Sequence, residues 1–303
     1  MSGAKVVKRF FAPLRMTAYC STYTCHVERS RDIFIEISPL TSFGRNDNEG
    51  NRSVETTVNV KWNHKLTIFV CLTNQNTMLV VLEGLDGAGK STQVKKLRTY
   101  LEGLFGSLEY IHFPRYDAPV YGDLISRFLR GDFGSNEAVH PQLVALLFAE
   151  DRHGAAPGMK NILENGGNIL LDRYVYSNIA YQCAKVADQN EADALRDWIF
   201  NTEYGNFELP KPDLNIFLDV PIDFVESKLK SQRGGSDRDY LEGAQDIHEA
   251  DIEFQKRVRD IYRKQCGLDP KFIRIDCSDE YGMMLPPAAI FAKVKEVVDS
   301  AIK

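Results

Sequence analysis

Apolar residues are distributed differently before and after Met78, and the difference predicts how the chain is organised. From Met78 onward, short apolar runs alternate with stretches in which apolar residues recur every three or four positions. The short runs predict strands at residues 79–83, 108–113, 168–172, 214–220 and 272–276. Because these strands alternate with helical stretches, we expect an α/β fold: a five-stranded parallel sheet with helices on both faces.

The helical stretches carry their apolar residues on one face. Val94, Leu97, Leu101 and Leu104 recur at intervals of three and four and predict a helix over residues 90–104. Similar faces occur at residues 121–129, 222–229 and 254–262. Pro221 stands directly before residues 222–229 and is predicted to be the first residue of that helix.

A glycine-rich loop joins the first strand to the first helix. It comprises Gly84, Leu85, Asp86, Gly87, Ala88, Gly89, Lys90, Ser91 and Thr92, which match the pattern G-x-x-x-x-G-K-[ST] in full. In this context the backbone amides and the helix N-terminus form a cradle for a polyphosphate. Lys90 then reaches the outer phosphates, and the Ser91 hydroxyl suits Mg²⁺. The alternative is a chance glycine-rich turn, but the flanking strand and helix argue against it.

Two arginines and one aspartate stand where predicted strands end. Arg115 follows the second strand, and Asp172 and Arg173 close the third. Ligands of open parallel sheets bind at this edge, and a guanidinium can hold a phosphate through two hydrogen bonds. Asp172 could support a Mg²⁺ ion or cap the next helix, and each arginine could instead be a surface residue or form a salt bridge.

Three further groups of residues are candidates for substrate contact. Phe148 and Arg152 share one helix face, as do Ser177 and Tyr181, at i and i+4. An aromatic ring with a cation one turn away can stack on a base and bond its edge, although a core Phe beside a solvated Arg is the alternative. Finally, Arg233 and Arg238 flank a Gly-Gly pair in a polar loop, which is typical of a mobile lid but also of a solvent loop.

These motifs together resemble the thymidylate kinase family. The resemblance rests on the loop at 84–92, Phe-Pro-Arg at 113–115, Phe148 with Arg152, Asp-Arg-Tyr at 172–174, Leu-Pro-Lys-Pro-Asp at 209–213 and the arginine-bearing lid. It covers residue 78 to the C-terminus. It implies a P-loop nucleotide-kinase fold and transfer of the γ-phosphoryl group of ATP to dTMP, giving dTDP, with Mg²⁺.

The resemblance also implies roles for individual residues. Lys90 and the loop residues 84–92 bind ATP, and Ser91 contacts the Mg²⁺ ion. The dTMP site comprises Asp86, Arg115, Phe148, Arg152, Arg173, Ser177 and Tyr181. The arginines at 115 and 173 hold the phosphate, Phe148 stacks on thymine, and Arg152 bonds the edge of the base, with Ser177 in the same pocket. Tyr181 crowds the sugar 2′ position, and Asp86 bonds the sugar 3′-hydroxyl. Members with glycine at position 87 use lid arginines for catalysis, so Arg233 and Arg238 join Lys90 as catalytic candidates.

Other functions remain open at this stage. A kinase for another nucleoside monophosphate or for a deoxynucleoside is the nearest alternative, and a non-catalytic nucleotide-binding regulator is a more distant one. Two arginines at strand ends favour an acceptor that already carries phosphate. An Asn-Lys-x-Asp motif is lacking, which disfavours a switch GTPase.

Composition excludes several partners and indicates a location. The net charge of −5 gives no footprint for nucleic acid, and no apolar run approaches the ~18 residues of a membrane span. Six cysteines without a C-x-x-C pair indicate neither a zinc site nor a disulfide framework, so we expect a cytoplasmic protein. A homodimer is expected from the family resemblance alone.

Residues 1–77 differ from the rest of the chain. They contain 10 basic and 6 acidic residues, whereas residues 78–303 contain 27 and 36, and they show no set of elements that could close a core. Three explanations compete: a mis-assigned start with translation beginning at Met78, a disordered extension, and a transit peptide with Lys5, Lys8, Arg9 and Arg15. We favour the first, because the predicted fold needs nothing upstream of Met78.

Overall fold

The computed structural model describes the backbone of residues 77–231 and 236–302 and of six strands between residues 5 and 71. Side chains are described for residues 77–231 and 239–302. The chain divides into two compact units, Met1–Gln75 and Asn76–Lys303.

The first unit consists of antiparallel strands. Strands β1 to β4 pair in chain order and span Lys5–Val6, Met16–Ser21, Thr24–Arg29 and Ile33–Ile37. Strands β5 (Ser53–Asn59) and β6 (Lys65–Cys71) form a separate hairpin. Residues 8, 9 and 15, which prompted the transit-peptide hypothesis, lie outside the described residues.

The second unit is built on a five-stranded parallel sheet. Its strands are β7 (Leu79–Gly84), β8 (Glu109–His112), β9 (Ile169–Asp172), β10 (Leu214–Asp219) and β11 (Phe272–Asp276), in the order β11-β10-β7-β9-β8. Every residue of β7, β9 and β10 is buried, whereas β8 at the edge is not. Continuous apolar runs are typical of parallel strands covered on both faces.

Eight helices surround this sheet within the described part of the unit. They are α1 (Lys90–Phe105), α2 (Tyr121–Leu129), α3 (Pro141–Glu164), α4 (Val175–Cys183), α5 (Gln189–Phe200), α6 (Ile222–Lys230), α7 (Ile252–Leu268) and α8 (Pro287–Ile302). A π-helical turn at Asn201–Asn206 continues α5, and a 3-10 turn spans Ser236–Leu241. No described helix is long and apolar enough to cross a membrane.

The alternation of side chains along β10 shows that both faces of the sheet are covered. Phe217 stacks on Tyr262 of α7, with 4.6 Å between the ring centroids. Its neighbour Leu218 points to the other face, where it lines a cavity together with Ile290 of α8. Helices α3, α4 and α7 therefore cover one face, and α1 and α8, which contact each other, cover the other.

The fold predicted from the sequence is confirmed, and the boundaries of the five strands and of α1 differ from the prediction by at most one residue. The apolar face predicted at residues 254–262 belongs to a longer helix, α7. The strand predicted at 108–113 is Glu109–His112, and the helix predicted at 90–104 ends at Phe105. It ends there because Gly106 adopts the left-handed conformation, with φ of 77°. Pro221 precedes the first residue of α6 instead of being that residue, because its ψ of 135° is extended.

Candidate active site

The glycine-rich loop lies between β7 and α1 and opens onto the larger of two neighbouring cavities. Gly87 and Gly89 have φ near 75°, a conformation that favours glycine. Gly89 is the N-cap residue of α1. Loop residues 86–92 line a cleft of about 1410 Å³, which we call the loop cleft. Free amides at the start of a helix make such a loop a binding site for phosphate groups.

Lys90 and Asp172 both line the loop cleft, and the charge of each affects the pKa of the other. Burial and the charge of Arg173 lower the pKa of Lys90, and Asp172 opposes this shift. Although burial raises the pKa of Asp172, Lys90 and a hydrogen bond from His112 hold that pKa at about 2. The Asp172 carboxylate is therefore ionised at neutral pH.

One oxygen of Asp172 is left without a partner. Oδ2 lies 3.3 Å from Nδ1 of His112, whereas the buried Oδ1 has no hydrogen-bond partner among the described residues. The alternative role as a helix cap does not hold, because the residue before α4 is Tyr174 and no side chain caps this helix. Asp172 thus brings an ionised carboxylate to the lining of the loop cleft.

Arg173 is the centre of a charged network at the end of β9. Its Nη2 lies 2.5 Å from Oδ1 of Asp86, its Nη1 donates to Oγ of Ser177 at 3.2 Å, and Tyr181 accepts from Nη2 at 3.3 Å. The hydroxyl of Tyr181 in turn donates to Oδ2 of Asp86 at 2.7 Å, and Gln255 Nε2 donates to the same oxygen at 3.1 Å. The structure therefore brings together four residues that the sequence predicted for one site.

Glu83 was not predicted as a site residue, but its side chain supports this network through hydrogen bonds. The side chain is fully buried at the end of β7. Its Oε1 accepts from the backbone amides of Tyr174 and Ser177, and its Oε2 accepts from the hydroxyls of Ser177 at 2.6 Å and Tyr262 at 2.9 Å. Glu83 thus ties the start of α4 to the strand before the loop. The sequence signal that could have indicated the role of Glu83 is its position as a glutamate at the end of an apolar strand.

A second, smaller cavity adjoins the loop cleft. We call this space of about 70 Å³ the inner cavity; the residues that line it include Phe113, Phe148, Arg152, Tyr181, Gln182 and His248. Asp86 and Arg173 line both cavities. A phosphate held at Arg173 would therefore lie between the glycine-rich loop and the inner cavity.

Phe148 and Arg152 both reach the inner cavity but differ in their surroundings. Phe148 packs edge-on against Phe128, with 6.4 Å between the ring centroids. Arg152 is almost fully buried and not solvated, because Glu203 holds its Nε at 2.5 Å and its Nη2 at 2.7 Å. Glu203 also accepts from Asn178 Nδ2 at 2.9 Å, so the arginine is oriented by a partner from the π-helical turn. No local sequence pattern predicts the pairing of Arg152 with Glu203.

Arg115 is not brought into either cavity. Asp151 of α3 binds its side chain through Nε at 2.9 Å and its backbone amide at 2.8 Å. The Nη2 atom donates to the backbone oxygen of Asp151 as well. The Arg115 side chain is thus occupied by α3, and it is absent from the described residues that line the two cavities.

The lid is only partly described. Arg233 lies outside the described residues; the backbone of Arg238 belongs to the 3-10 turn, and its side chain lies outside them too. Two residues after Arg238, the ring of Tyr240 stacks on that of Tyr116, with 3.9 Å between the ring centroids. This contact anchors the end of the lid. Both tyrosines line the loop cleft and the inner cavity, and neither was predicted from the sequence.

Comparison with known proteins places this site in a family. Residues 82–284, more than half of the chain, match the family model described as Thymidylate kinase. The chain belongs to the thymidylate kinase family. Because the match includes the loop, Arg173, Phe148 and the lid, it confirms the resemblance stated from the sequence.

Individual members of the thymidylate kinase family support this assignment. Thymidylate kinase from Mycobacterium tuberculosis is 35% identical over 185 residues, which cover 61% of this chain and 84% of that protein. The Dictyostelium discoideum thymidylate kinase is 30% identical over 190 residues, covering 62% and 72%. The solved structure of thymidylate kinase from Candida albicans superimposes with a TM-score of 0.55 and 26% identity, covering 74% of this chain and 92% of that one.

Proposed function

We propose that this chain is a nucleoside monophosphate kinase that transfers the γ-phosphoryl group of ATP to dTMP, giving dTDP and ADP. Family membership supports the activity. The observation that carries the proposal is the position of Arg173, which lines both the loop cleft and the inner cavity. A guanidinium there suits an acceptor that already bears a phosphate, placed next to the polyphosphate of the donor.

The reaction needs two anionic groups to be brought into line. An oxygen of the dTMP phosphate forms a bond to the γ-phosphorus while the bond from that phosphorus to the β,γ-bridging oxygen breaks, and ADP leaves. Catalysis of this kind consists mainly of positioning and charge neutralisation. In our proposal the loop amides and Lys90 hold the ATP phosphates, Arg173 holds the acceptor phosphate, and Arg233 or Arg238 supplies further positive charge.

We assign the nucleoside part of the acceptor to the inner cavity because of the chemistry of the residues that line it. In our proposal Phe148 offers an aromatic face for stacking on thymine, and Arg152, which Glu203 orients, donates to the edge of the base. Asp86, Ser177 and Tyr181 form the side of the cavity next to the sugar. We propose that Arg115 adds a second guanidinium at the acceptor phosphate after it leaves Asp151.

The residues of the loop cleft fit Mg²⁺. Oxygen ligands are what this ion prefers. The ionised Asp172 has a buried oxygen without a partner, and the Ser91 hydroxyl lines the same cleft. We therefore propose that these two residues hold the ion, directly or through water. When bound, Mg²⁺ neutralises charge that develops on the phosphate oxygens.

A phosphoryl-transfer assay of the full chain tests the proposal. The acceptors are dTMP, dUMP, dCMP, dGMP and thymidine, with ATP and Mg²⁺. We expect dTDP to form fastest and thymidine to give no product, because a nucleoside lacks the group that Arg173 would bind. Lys90→Met is the control for contaminating kinases and should abolish turnover. Faster turnover of another monophosphate would replace dTMP, product from thymidine would favour a deoxynucleoside kinase, and no product with any acceptor would favour a nucleotide-binding regulator.

Two further expectations extend the proposal. From the family resemblance we propose a homodimer, which light scattering of the full chain would test. We also propose a cytoplasmic location, which imaging of the tagged full chain in its source cells would test.

A further inference from the structure

A third cavity lies at the opposite edge of the sheet from the glycine-rich loop. We call this space of about 610 Å³ the basal cavity. It lies where the chain enters β10 and β11, and Asn215 and Lys271 form part of its wall. Among the residues that the structure describes, it shares none with the walls of the loop cleft and the inner cavity. A volume of this size is typical of a site for a small molecule.

Aromatic rings form one side of the basal cavity. Phe200 and Tyr204 stack on each other, with 5.9 Å between the ring centroids and 19° between the ring planes, and both are partly exposed. Tyr176 stands edge-on to Phe200 at 5.7 Å. The ring of Tyr176 is itself fixed, because its hydroxyl donates to Oδ2 of Asp269 at 2.6 Å and it stacks on Phe272. This side of the cavity therefore offers an ordered aromatic surface to a planar group.

The charged side chains of the basal cavity favour an anion. Lys211 and Lys271 are exposed, and neither ammonium group pairs with a carboxylate of the described residues. The ammonium group of Lys211 lies 5.7 Å from the centre of the Tyr204 ring. The carboxylate of Asp269, also on the wall, accepts from the Tyr176 hydroxyl and from the backbone amide of Lys271. Two ammonium groups without an anionic partner thus stand beside an aromatic surface.

Asn215 adds a polar group that lacks a partner. It interrupts the apolar residues of β10 and is only 3% exposed. Its Oδ1 is buried and has no hydrogen-bond partner in the described part of the chain. Its Nδ2 makes no hydrogen bond to those residues either, and it is the donor that Asn215 brings to the cavity wall. Because an unpaired buried amide is costly, a ligand that accepts a hydrogen bond from Nδ2 relieves part of that cost.

One structural element joins the basal cavity to the inner cavity. Tyr204 belongs to the π-helical turn at Asn201–Asn206, and the residue before it, Glu203, is fully buried. Glu203 accepts two hydrogen bonds from Arg152 of the inner cavity. A contact at Tyr204 therefore restrains the same turn that orients Arg152. Single π-helical turns occur frequently at functional sites.

We propose that the basal cavity is a regulatory site for a small aromatic phosphate, meaning a planar ring that bears a phosphate group. The ring stacks on the surface formed by Phe200 and Tyr204, and the phosphate pairs with the ammonium groups of Lys211 and Lys271. Binding holds the π-helical turn, so that Arg152 is fixed before the acceptor arrives and the acceptor binds more tightly. The coupling to dTMP rests on the proposed function, whereas the presence of a ligand site does not.

Fluorescence titration of the full chain with 1-naphthyl phosphate tests the site, with dTMP and ADP present to fill the other two cavities. We expect saturable binding with a Kd on the order of 100 µM. Replacing Lys211 and Lys271 together by glutamine should weaken binding by roughly tenfold. Tyr204→Ala should weaken it by a similar factor, whereas Tyr204→Phe should retain it. The matched control is Lys256→Gln, at an exposed lysine of α7 that lines none of the three cavities.

Two further probes separate the contribution of charge from that of stacking. The compound 1-naphthol lacks the phosphate, and inorganic phosphate lacks the ring. Each should bind at least roughly tenfold more weakly than 1-naphthyl phosphate. Equal binding of 1-naphthol overturns the proposal, and so does the absence of binding. An unchanged Kd in the double lysine variant, whose exposed substitutions leave the core intact, overturns it as well.

Calorimetric titration with dTMP tests the coupling. In the presence of saturating 1-naphthyl phosphate, the Kd of dTMP should fall by roughly fivefold, and dTMP should tighten binding of the probe by the same factor. The double lysine variant should keep the wild-type Kd of dTMP and should not respond to the probe. A rise in the Kd of dTMP would show that the probe competes in the inner cavity, and an unchanged Kd would show that the turn transmits nothing; either result overturns the regulatory role. Binding of the probe by a wild type that does not phosphorylate dTMP would contradict the proposed function and not the basal site.

Discussion

Asp86 and Arg173 form an ion pair where the loop cleft meets the inner cavity, with 2.5 Å between Oδ1 and Nη2. One residue comes from the glycine-rich loop and the other follows β9, so in the function proposed above the pair joins the donor side of the site to the acceptor side. Although burial raises the pKa of Asp86, the charges of Arg173 and Lys90 lower it well below its usual range. An incoming phosphate must therefore share Arg173 with a carboxylate that is already ionised.

Replacing Arg173 by alanine should affect the acceptor far more than the donor. We expect the KM for dTMP to rise by roughly 100-fold, since a buried charge-assisted contact contributes about 2–3 kcal/mol. The dissociation constant of ATP should change by less than about threefold, because Lys90 and the loop amides remain. Initial rates at varied dTMP and calorimetric titration with ATP would measure the two effects.

The matched control for this prediction is Arg196→Ala. Arg196 pairs with Asp193 and Asp197 on α5 and lines neither cavity. Both kinetic constants should stay at wild-type values in this variant. An equal loss of affinity for dTMP and ATP in Arg173→Ala would remove the assignment of Arg173 to the acceptor.

Glu83→Gln should weaken both the fold and the acceptor site. The carboxylate accepts four hydrogen bonds, whereas a glutamine amide replaces one accepting oxygen by a donor that faces other donors. We expect the free energy of unfolding in urea to fall by roughly 2 kcal/mol. The KM for dTMP should rise at the same time, because Ser177 and Arg173 lose the support of β7. Glu253→Gln, at an exposed residue of α7, is the control; equal effects of the two substitutions would contradict the supporting role of Glu83.

The contrast between Glu83 and its surroundings shows what the sequence could predict. The strand β7, the loop and α1 follow from short-range patterns: an apolar run, glycines at fixed spacing and apolar residues three and four apart. The bonds of Glu83 to Tyr174 and Tyr262 join residues 91 and 179 positions apart, and no local pattern encodes them. Element boundaries were therefore predictable, whereas the hydrogen-bond partners inside the site were not.

The two arginines after predicted strands illustrate the same limit. Both arginines follow a predicted strand at the ligand-binding edge of the sheet, so the same role in phosphate binding was predicted for both. Arg173 pairs with Asp86, but Arg115 pairs with Asp151 of α3, 36 positions further along the chain. Which carboxylate a guanidinium finds depends on how helices pack on the sheet, and that is a tertiary property.

Asp172→Asn should remove a pH-dependent contribution to stability. The folded-state pKa of Asp172 is about 2, below its ordinary value of 3.8, so the unfolded state binds more protons between these values. The contribution is present above about pH 4 and is lost as the pH falls towards 2. The difference in unfolding free energy between wild type and Asp172→Asn should therefore shrink by about 1 kcal/mol between pH 6 and pH 3.

Urea unfolding at several pH values would measure this difference. The control is Asp260→Asn, at an exposed carboxylate of α7, which reports the general effect of acid on the protein. A difference that stays constant from pH 6 to pH 3 would mean that Lys90 and His112 do not stabilise the ionised form of Asp172.

Phe148→Ala should impair recognition of the base. Stacking on an aromatic side chain contributes about 1–3 kcal/mol per base, so the KM for dTMP should rise roughly tenfold. The preference for dTMP over dCMP should decrease, because the base is no longer held against Arg152. Phe133→Ala, at an exposed ring that lines neither cavity, is the control. If the ratio of kcat/KM for the two nucleotides is unchanged, the base does not stack on Phe148.

The lid arginines test where the catalytic charge resides. Position 87 is glycine, so the loop itself brings only Lys90 to the transferred group. Replacing Arg233 and Arg238 separately by glutamine should leave one variant with a kcat reduced by roughly 100-fold or more, the loss that follows removal of a group that stabilises transition-state charge. The KM for ATP should change little in that variant, because the loop amides and Lys90 still bind the phosphates. Arg127→Gln, at a half-exposed arginine of α2 whose side chain pairs with Asp123 and Asp132, controls for a general loss of positive charge. Wild-type turnover in both lid variants would place the catalytic charge elsewhere, and Arg115, released from Asp151, would then be the next residue to replace.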